Sequence, residues 1–146
     1  MGIRTENIKK SFGNPPTDVL KGISLEILDG EFVSLVGKSG CGKSTLLYIL
    51  STLDQPSSGN IFIDDRNTNG MSEEEIHRFR NFQMGFVFQF HHLLPELTAM
   101  ENILMPARKA GRELERKSYA RFLMDEFGLK NKIDSLPSQL SGGEQQ

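Results

Sequence analysis

The chain has 146 residues, a quarter of them charged, and its 17 Lys and Arg against 19 Asp and Glu leave a net charge of −2. That near-balance advertises neither a nucleic-acid partner nor an affinity for anionic membrane surfaces. The length suits one domain with a proper core, and no apolar stretch approaches the roughly 18 residues a spanning helix needs.

In chain order, Met1–Glu6 lacks a signal-peptide core, and Glu6 stands where a myristoylation pattern needs Ser or Thr. Residues 1–36 read as strands. Ile23-Ser24-Leu25-Glu26-Ile27 alternates strictly, Asn14-Pro15-Pro16-Thr17-Asp18 is an exposed turn, and Asp29-Gly30 is a turn signal. The apolar run Phe32-Val33-Ser34-Leu35-Val36 predicts a strand leading into Gly37.

Gly37-Lys38-Ser39-Gly40-Cys41-Gly42-Lys43-Ser44-Thr45 fits the phosphate-loop pattern G-x-x-x-x-G-K-[ST], and Leu46-Leu47-Tyr48-Ile49-Leu50 continues it as a helix. The fixed positions recur by chance about once in 200 chains of this length, so the flanking strand and helix carry the decision. Successive N–H groups from Gly40 to Thr45 are expected to line one concavity at the positive end of the helix. Lys43 is the candidate for the β/γ-phosphates of a nucleoside triphosphate, and the Ser44 hydroxyl the candidate Mg²⁺ ligand. Cys41, the only cysteine, rules out a disulfide within these residues and fits a reducing compartment. It reads either as a thiol activated at a helix N-terminus or, the favoured reading, as a small residue between two glycines.

Pro56 to Asn60 breaks the chain, and Ile61-Phe62-Ile63 is a short strand. A capping box at Ser72–Glu75 predicts a charged helix through Phe82, and Gly85-Phe86-Val87-Phe88-Gln89 predicts a buried parallel strand. From Thr98 onward the pattern is helical. Thr98-Ala99-Met100-Glu101 is a second capping box, and Met100, Ile103, Leu104 and Ala107 form one expected core face. Tyr119, Phe122, Leu123 and Phe127 form another on a helix over 112–127 closed by Gly128. The final Leu140-Ser141-Gly142-Gly143-Glu144-Gln145-Gln146 reads as an N-cap with a reciprocal Glu144. It is either a flexible turn or a second anion-receiving helix start.

Taken in order, these motifs resemble the ATP-binding subunit of an ABC transporter along nearly the whole chain. The resemblance implies an α/β fold. It has a P-loop NTPase core with an N-terminal antiparallel β-subdomain and a helical subdomain, and the C-terminal part of the core is missing. The expected division is 1–90, through the Q-loop, and 91–146, ending in the signature. Phe12 matches the aromatic that stacks on adenine, where the family more often has Tyr; its other reading is a core aromatic. Gly37 to Thr45 is the Walker A loop, with Lys38 filling a variable position. Gln89 matches the Q-loop glutamine near Mg²⁺ and the attacking water; its other reading is a polar residue closing a strand. Lys43 and Gln89 are thus the implied catalytic residues, and Ser44 and Gln89 the implied metal ligands. Ser141, Gly142 and Gly143 match signature residues that contact ATP held by the opposite subunit.

The segment from Gln89 to Asn102 is similar to the lipoprotein-releasing (Lol-type) subfamily. This implies ATP and Mg²⁺ as cofactors and a homodimer of nucleotide-binding subunits. Transmembrane permease subunits would be contacted through the Q-loop region, with no nucleic acid. The implied location is cytoplasmic, peripheral on the inner face of the bacterial inner membrane. His91 and His92 suggest metal at first sight, but adjacent loop residues share geometry poorly, and a loop facing the membrane partner is favoured. The family pattern continues beyond Gln146 with a Walker B strand, a catalytic Glu and a switch His. Residues 1–146 are therefore expected to be a piece able at most to bind ATP, with apolar sheet edge left uncovered. The alternatives are a natural ATP-binding module without hydrolysis, and a non-transport ABC ATPase of translation or DNA repair. Leu93–Asn102 favours the transporter.

Overall fold

The computed structural model describes residues 1–146, which divide into two compact units, Met1–Gly85 and Phe86–Gln146. The first is built on a four-stranded antiparallel sheet in the order β2-β1-β3-β4, with β1 Ile3–Phe12, β2 Thr17–Ile27, β3 Ser58–Ile63 and β4 Arg66–Asn67. Alternation along 23–27 is realised as half-buried Ile23, Leu25 and Ile27 against exposed Ser24 and Glu26. β1 breaks its period: Thr5 and Ile8 are both buried although three residues apart, because the register shifts between them against β2. A bulge inserts one residue and returns the next side chain to the inner face. Thr5 is satisfied there, donating to Ile23 O at 3.2 Å and accepting from Leu25 N at 3.1 Å.

Helix α1 (Lys43–Leu50) lays Leu46, Ile49 and Leu50, at helical spacing, onto the sheet residues Ile8, Leu20, Ile61 and Ile63. Full burial of each such side chain is worth roughly 1.5–3 kcal/mol, so this face fixes where the helix begins. Helix α2 (Glu73–Gln83) starts at the expected capping box. Ser72 Oγ accepts from Glu75 N at 3.2 Å, and the Glu75 carboxylate accepts from Ser72 N at 2.8 Å.

Two expected strands do not form. Phe32–Val36 and Phe86–Phe88 carry no ladder, and Phe32, Val36 and Val87 are 99%, 83% and 89% exposed. Antiparallel neighbours are supplied locally by short turns, whereas a parallel strand needs a partner from elsewhere in the chain. None of β1 to β4 pairs with either run.

The second unit packs α3 (Ala99–Lys109) on α4 (Glu113–Glu126) around Ala99, Met100, Leu104, Ala120, Met124 and Leu140. Its Thr98 capping box is present, and Ala99 N and Met100 N also find Ser135 O and Ile133 O at 2.8 and 3.1 Å. The core faces need correction. Met100 and Leu104 are buried as expected, but Ile103 is exposed. On α4, Tyr119, Phe122 and Phe127 also point outward, and Ala120 and Met124 are the buried pair. Gly128, at φ 72°, ends α4 with its N–H on Asp125 O at 3.0 Å, and Leu129 N reaches Met124 O at 2.7 Å. These bonds satisfy last-turn carbonyls.

Candidate nucleotide-binding site

The loop is exposed from Gly37 to Cys41 and runs through the half-buried Gly42 directly into α1. Gly40 and Gly42 take φ of 77° and 95°, the left-handed region that side-chain-bearing residues resist. Gly42 is the N-cap, so no side chain closes the helix start, and Leu46 is the first residue of α1 whose N–H is bonded, to Gly42 O at 2.8 Å. The N–H groups of Lys43, Ser44 and Thr45 stay open at the positive end of the helix. Above them the Lys43 ammonium donates to Gly37 O at 2.9 Å and Lys38 O at 2.8 Å, with Cys41 Sγ at 3.9 Å. The cation is thus held over the loop by neutral carbonyls, which a bound anion outcompetes. Ser44 is exposed on the first turn, and Thr45 is half-buried.

Gly42 also meets β2, where a Cβ would come 3.1 Å from Val19 Cγ1 and 3.3 Å from Val19 O. Val19 lies two residues from Thr17, the residue paired with Phe12 across the β1–β2 hairpin. The fold therefore brings Phe12 and the phosphate loop to the same end of one hairpin. Phe12 is 47% exposed, which excludes its reading as a core aromatic.

The remaining candidates lie in the second unit. Gln89 is exposed, after Phe88, whose ring stacks on Phe86 with centroids 5.6 Å apart. His91 and His92 have protein partners. His91 Nδ1 is 3.2 Å from Gln146 Oε1, and the His92 ring meets Phe88 edge-on at 5.0 Å. Asn102 was not singled out as a site residue in the sequence, yet its side chain accepts from Leu94 N at 2.8 Å. It also donates to the carbonyls of Leu94, Leu97 and Thr98 at 3.0–3.1 Å. Its place four residues after the Thr98 cap was the available signal, since that spacing returns it to the helix start.

At the chain's end, Leu140 is buried and α5 (Gly142–Gln145) begins at Ser141, whose Oγ accepts from Glu144 N at 3.4 Å. The Glu144 carboxylate turns back to accept from Ser141 N at 2.7 Å, and Lys132 Nζ stands 3.5 Å from it. The backbone bond from Ser141, its hydroxyl and then Lys132 hold this carboxyl below the usual glutamate range. Gly142 and Gly143 stay exposed, so their backbone is accessible.

Residues 20–146 match the family described as ABC transporter. The chain belongs to that family. Among ABC relatives, it is 57% identical over 145 residues to the lipoprotein-releasing system ATP-binding protein LolD of Leptospira interrogans, covering 99% of this chain and 60% of that protein. The LolD proteins of Aquifex aeolicus and Bacteroides fragilis are 49% and 52% identical, with 64% and 66% of their lengths covered. The chain thus spans less than two thirds of the length of these curated relatives. Among solved ABC structures, the ATP-binding cassette MJ0796, a dimer in a post-hydrolysis state bound to ADP and Pi, superposes with a TM-score of 0.86. The two are 37% identical, and the match covers 98% of this chain and 65% of that one. A second dimeric structure of the same cassette gives 0.86 at 38% identity. The P-loop NTPase architecture is therefore that of an ABC cassette.

Proposed function

We propose that this chain is the nucleotide-binding part of an ABC transporter ATPase that powers release of lipoproteins from a bacterial inner membrane. The observation that carries the reading is the Gly37–Thr45 loop, with open first-turn N–H groups beneath the Lys43 ammonium. Its left-handed glycines shape a turn that residues with side chains resist, and a Cβ at Gly42 would collide with Leu20 and Val19 of β2. That fits a bare backbone loop seated against the sheet with its N–H groups turned to a triphosphate. Within it Lys43 binds the β/γ-phosphates, the Gly40–Thr45 backbone, with Gly37, Lys38, Ser39 and Cys41 completing the loop, wraps them, and Phe12 takes the base.

The exposed Ser44 hydroxyl beside the open N–H groups also fits Mg²⁺, which is usually bound by a few protein oxygens plus substrate phosphates rather than by an all-protein cage. Ser44 would hold it from the first turn of α1, and Gln89 is the further ligand that the family resemblance implies. When bound, the ion supplies charge neutralisation of the phosphoryl oxygens. Gln89 additionally orients the attacking water, and Ser141, Gly142 and Gly143 serve the nucleotide of the opposite subunit in a homodimer. Residues 1–90 act as β-subdomain and core, and 91–146 as the helical subdomain meeting the permease. No helix is long and apolar enough to cross a membrane; the placement as a peripheral subunit at the cytoplasmic face rests on the likeness to the lipoprotein-releasing ATP-binding proteins.

The test is reconstitution of the intact protein with its permease in proteoliposomes carrying a lipoprotein. ATP-dependent release that Lys43→Ala abolishes supports the reading. ATP hydrolysis without any lipoprotein release leaves the ATPase and removes the substrate.

A further inference from the structure

Lys10 lies on β1 between the buried Ile8 and the exposed Phe12. Its side chain is only 12% exposed, and its ammonium donates to Asp54 Oδ1 and to Gln55 O, both at 2.7 Å. The same ammonium lies over the Phe12 ring, 5.0 Å from its centroid. Asp54 and Gln55 belong to the turn that follows α1, and that turn is stitched to the same stretch of β1 twice more. Ser57 N donates to Lys9 O at 2.8 Å, and Ser11 N donates to Ser57 Oγ at 3.1 Å. α1 therefore starts at the phosphate loop and ends at a turn anchored to the strand that carries Phe12.

We propose that Lys10 is a positioning residue for nucleobase recognition. It clamps one face of the Phe12 ring, leaving the other for the base, and ties that ring to the far end of the helix that carries the phosphate loop. The inference rests on the reading of Phe12 and Gly37–Thr45 as base and phosphate subsites. A half-buried ammonium attracted to a ring face and itself fixed by hydrogen bonds to a carboxylate and a carbonyl restricts the ring beyond strand packing alone. The cost of ordering the ring is then met before the nucleotide arrives, which is how preorganisation raises affinity.

Calorimetric titration of the intact protein with Mg-ATP and, separately, with inorganic tripolyphosphate tests this. The second ligand has phosphates and no base. Lys10→Met, which keeps the aliphatic stem, is expected to weaken ATP about fivefold, the order of one lost cation–ring contact, and to leave tripolyphosphate unchanged. Lys10→Arg is expected to retain both affinities, and Asp54→Asn to reproduce part of the ATP loss. Equal weakening of both ligands in the two loss variants would make Lys10 a strut of the fold or a general attractor of anions, and would overturn the proposal. So would unaltered ATP affinity in Lys10→Met. Failure of the unmodified protein to bind tripolyphosphate would instead remove the phosphate-loop reading, and the proposal with it.

Discussion

Gly42 rests directly on Leu20: a Cβ built on the glycine would stand 2.9 Å from Leu20 Cδ2. Leu20 is itself 4% exposed in the first core and sits opposite Lys10 in the β1–β2 register. The N-cap of the helix that opens the phosphate loop thus has neither room for a side chain nor, at φ 95°, a conformation that favours one. Gly42→Ala should lower stability by about 2 kcal/mol, the combined order of left-handed strain and overpacking. It should also weaken ATP more than a surface substitution of equal destabilisation. Urea midpoints and ATP titration of the intact protein check both parts.

The two helices of the second unit give a sharper contrast. Met124 is 1% exposed and faces α3, whereas Phe122, two residues earlier, is 55% exposed. Met124→Ala is expected to cost about 2–5 kcal/mol, and Phe122→Ala to stay within about 0.5 kcal/mol. A larger loss at Phe122 in denaturant titration would restore the face that periodicity alone suggests.

That contrast shows what was legible in the residues. The capping boxes at Ser72, Thr98 and Ser141 all form, because a cap is a local exchange of two hydrogen bonds that no distant partner has to complete. The phosphate loop was legible for the same reason. The face of α4 was not. Tyr119, Phe122 and Phe127 make the more apolar stripe, yet small Ala120 with flexible Met124 faces α3, and periodicity does not report which stripe a neighbour covers. Phe32–Val36 and Phe86–Phe88 have strand-like composition, but a parallel ladder requires partners that local sequence does not contain. Lys10 acts through Asp54 and Gln55, which lie outside any motif, so pattern reading passes over it. Asn102 instead bonds back to Leu94, Leu97 and Thr98, a role that only its spacing from the cap could signal.

Acid should loosen the capped helices. Glu101 is held below its usual range first by the Thr98 backbone N–H and then by the Thr98 hydroxyl. Glu75 and Glu144 are held down in the same way by Ser72 and Ser141. A carboxyl whose pKa is lowered in the folded state stabilises above its unfolded value, and that contribution is lost as pH falls through the folded value. Stability should therefore decline as pH drops below the ordinary glutamate value of about 4.3. Glu101→Gln, which keeps an acceptor but does not titrate, should flatten that decline in thermal unfolding followed against pH. An unchanged acid limb would contradict the assignment.

Ser141 offers a test of the trans role proposed for the signature. It is exposed at the start of α5, so Ser141→Arg places bulk and charge where the second subunit's nucleotide is expected. The substitution should spare ATP binding by a single subunit and abolish ATP-driven dimerisation, read by light scattering after size exclusion. A variant that still dimerises with ATP would contradict the role.

Lys43 carries the central claim, because its ammonium is held over the loop by the neutral carbonyls of Gly37 and Lys38, with Cys41 Sγ beside it and no carboxylate partner. Its removal should leave the fold in place while removing the charge aimed at the phosphates. The deciding measurement is ATP turnover of the intact protein with and without Lys43→Ala, folding being verified by circular dichroism. The account predicts a loss of at least about 100-fold, the order expected for removing a transition-state charge contact. Retained turnover in a folded Lys43→Ala protein would contradict the assignment of this loop as the phosphate site.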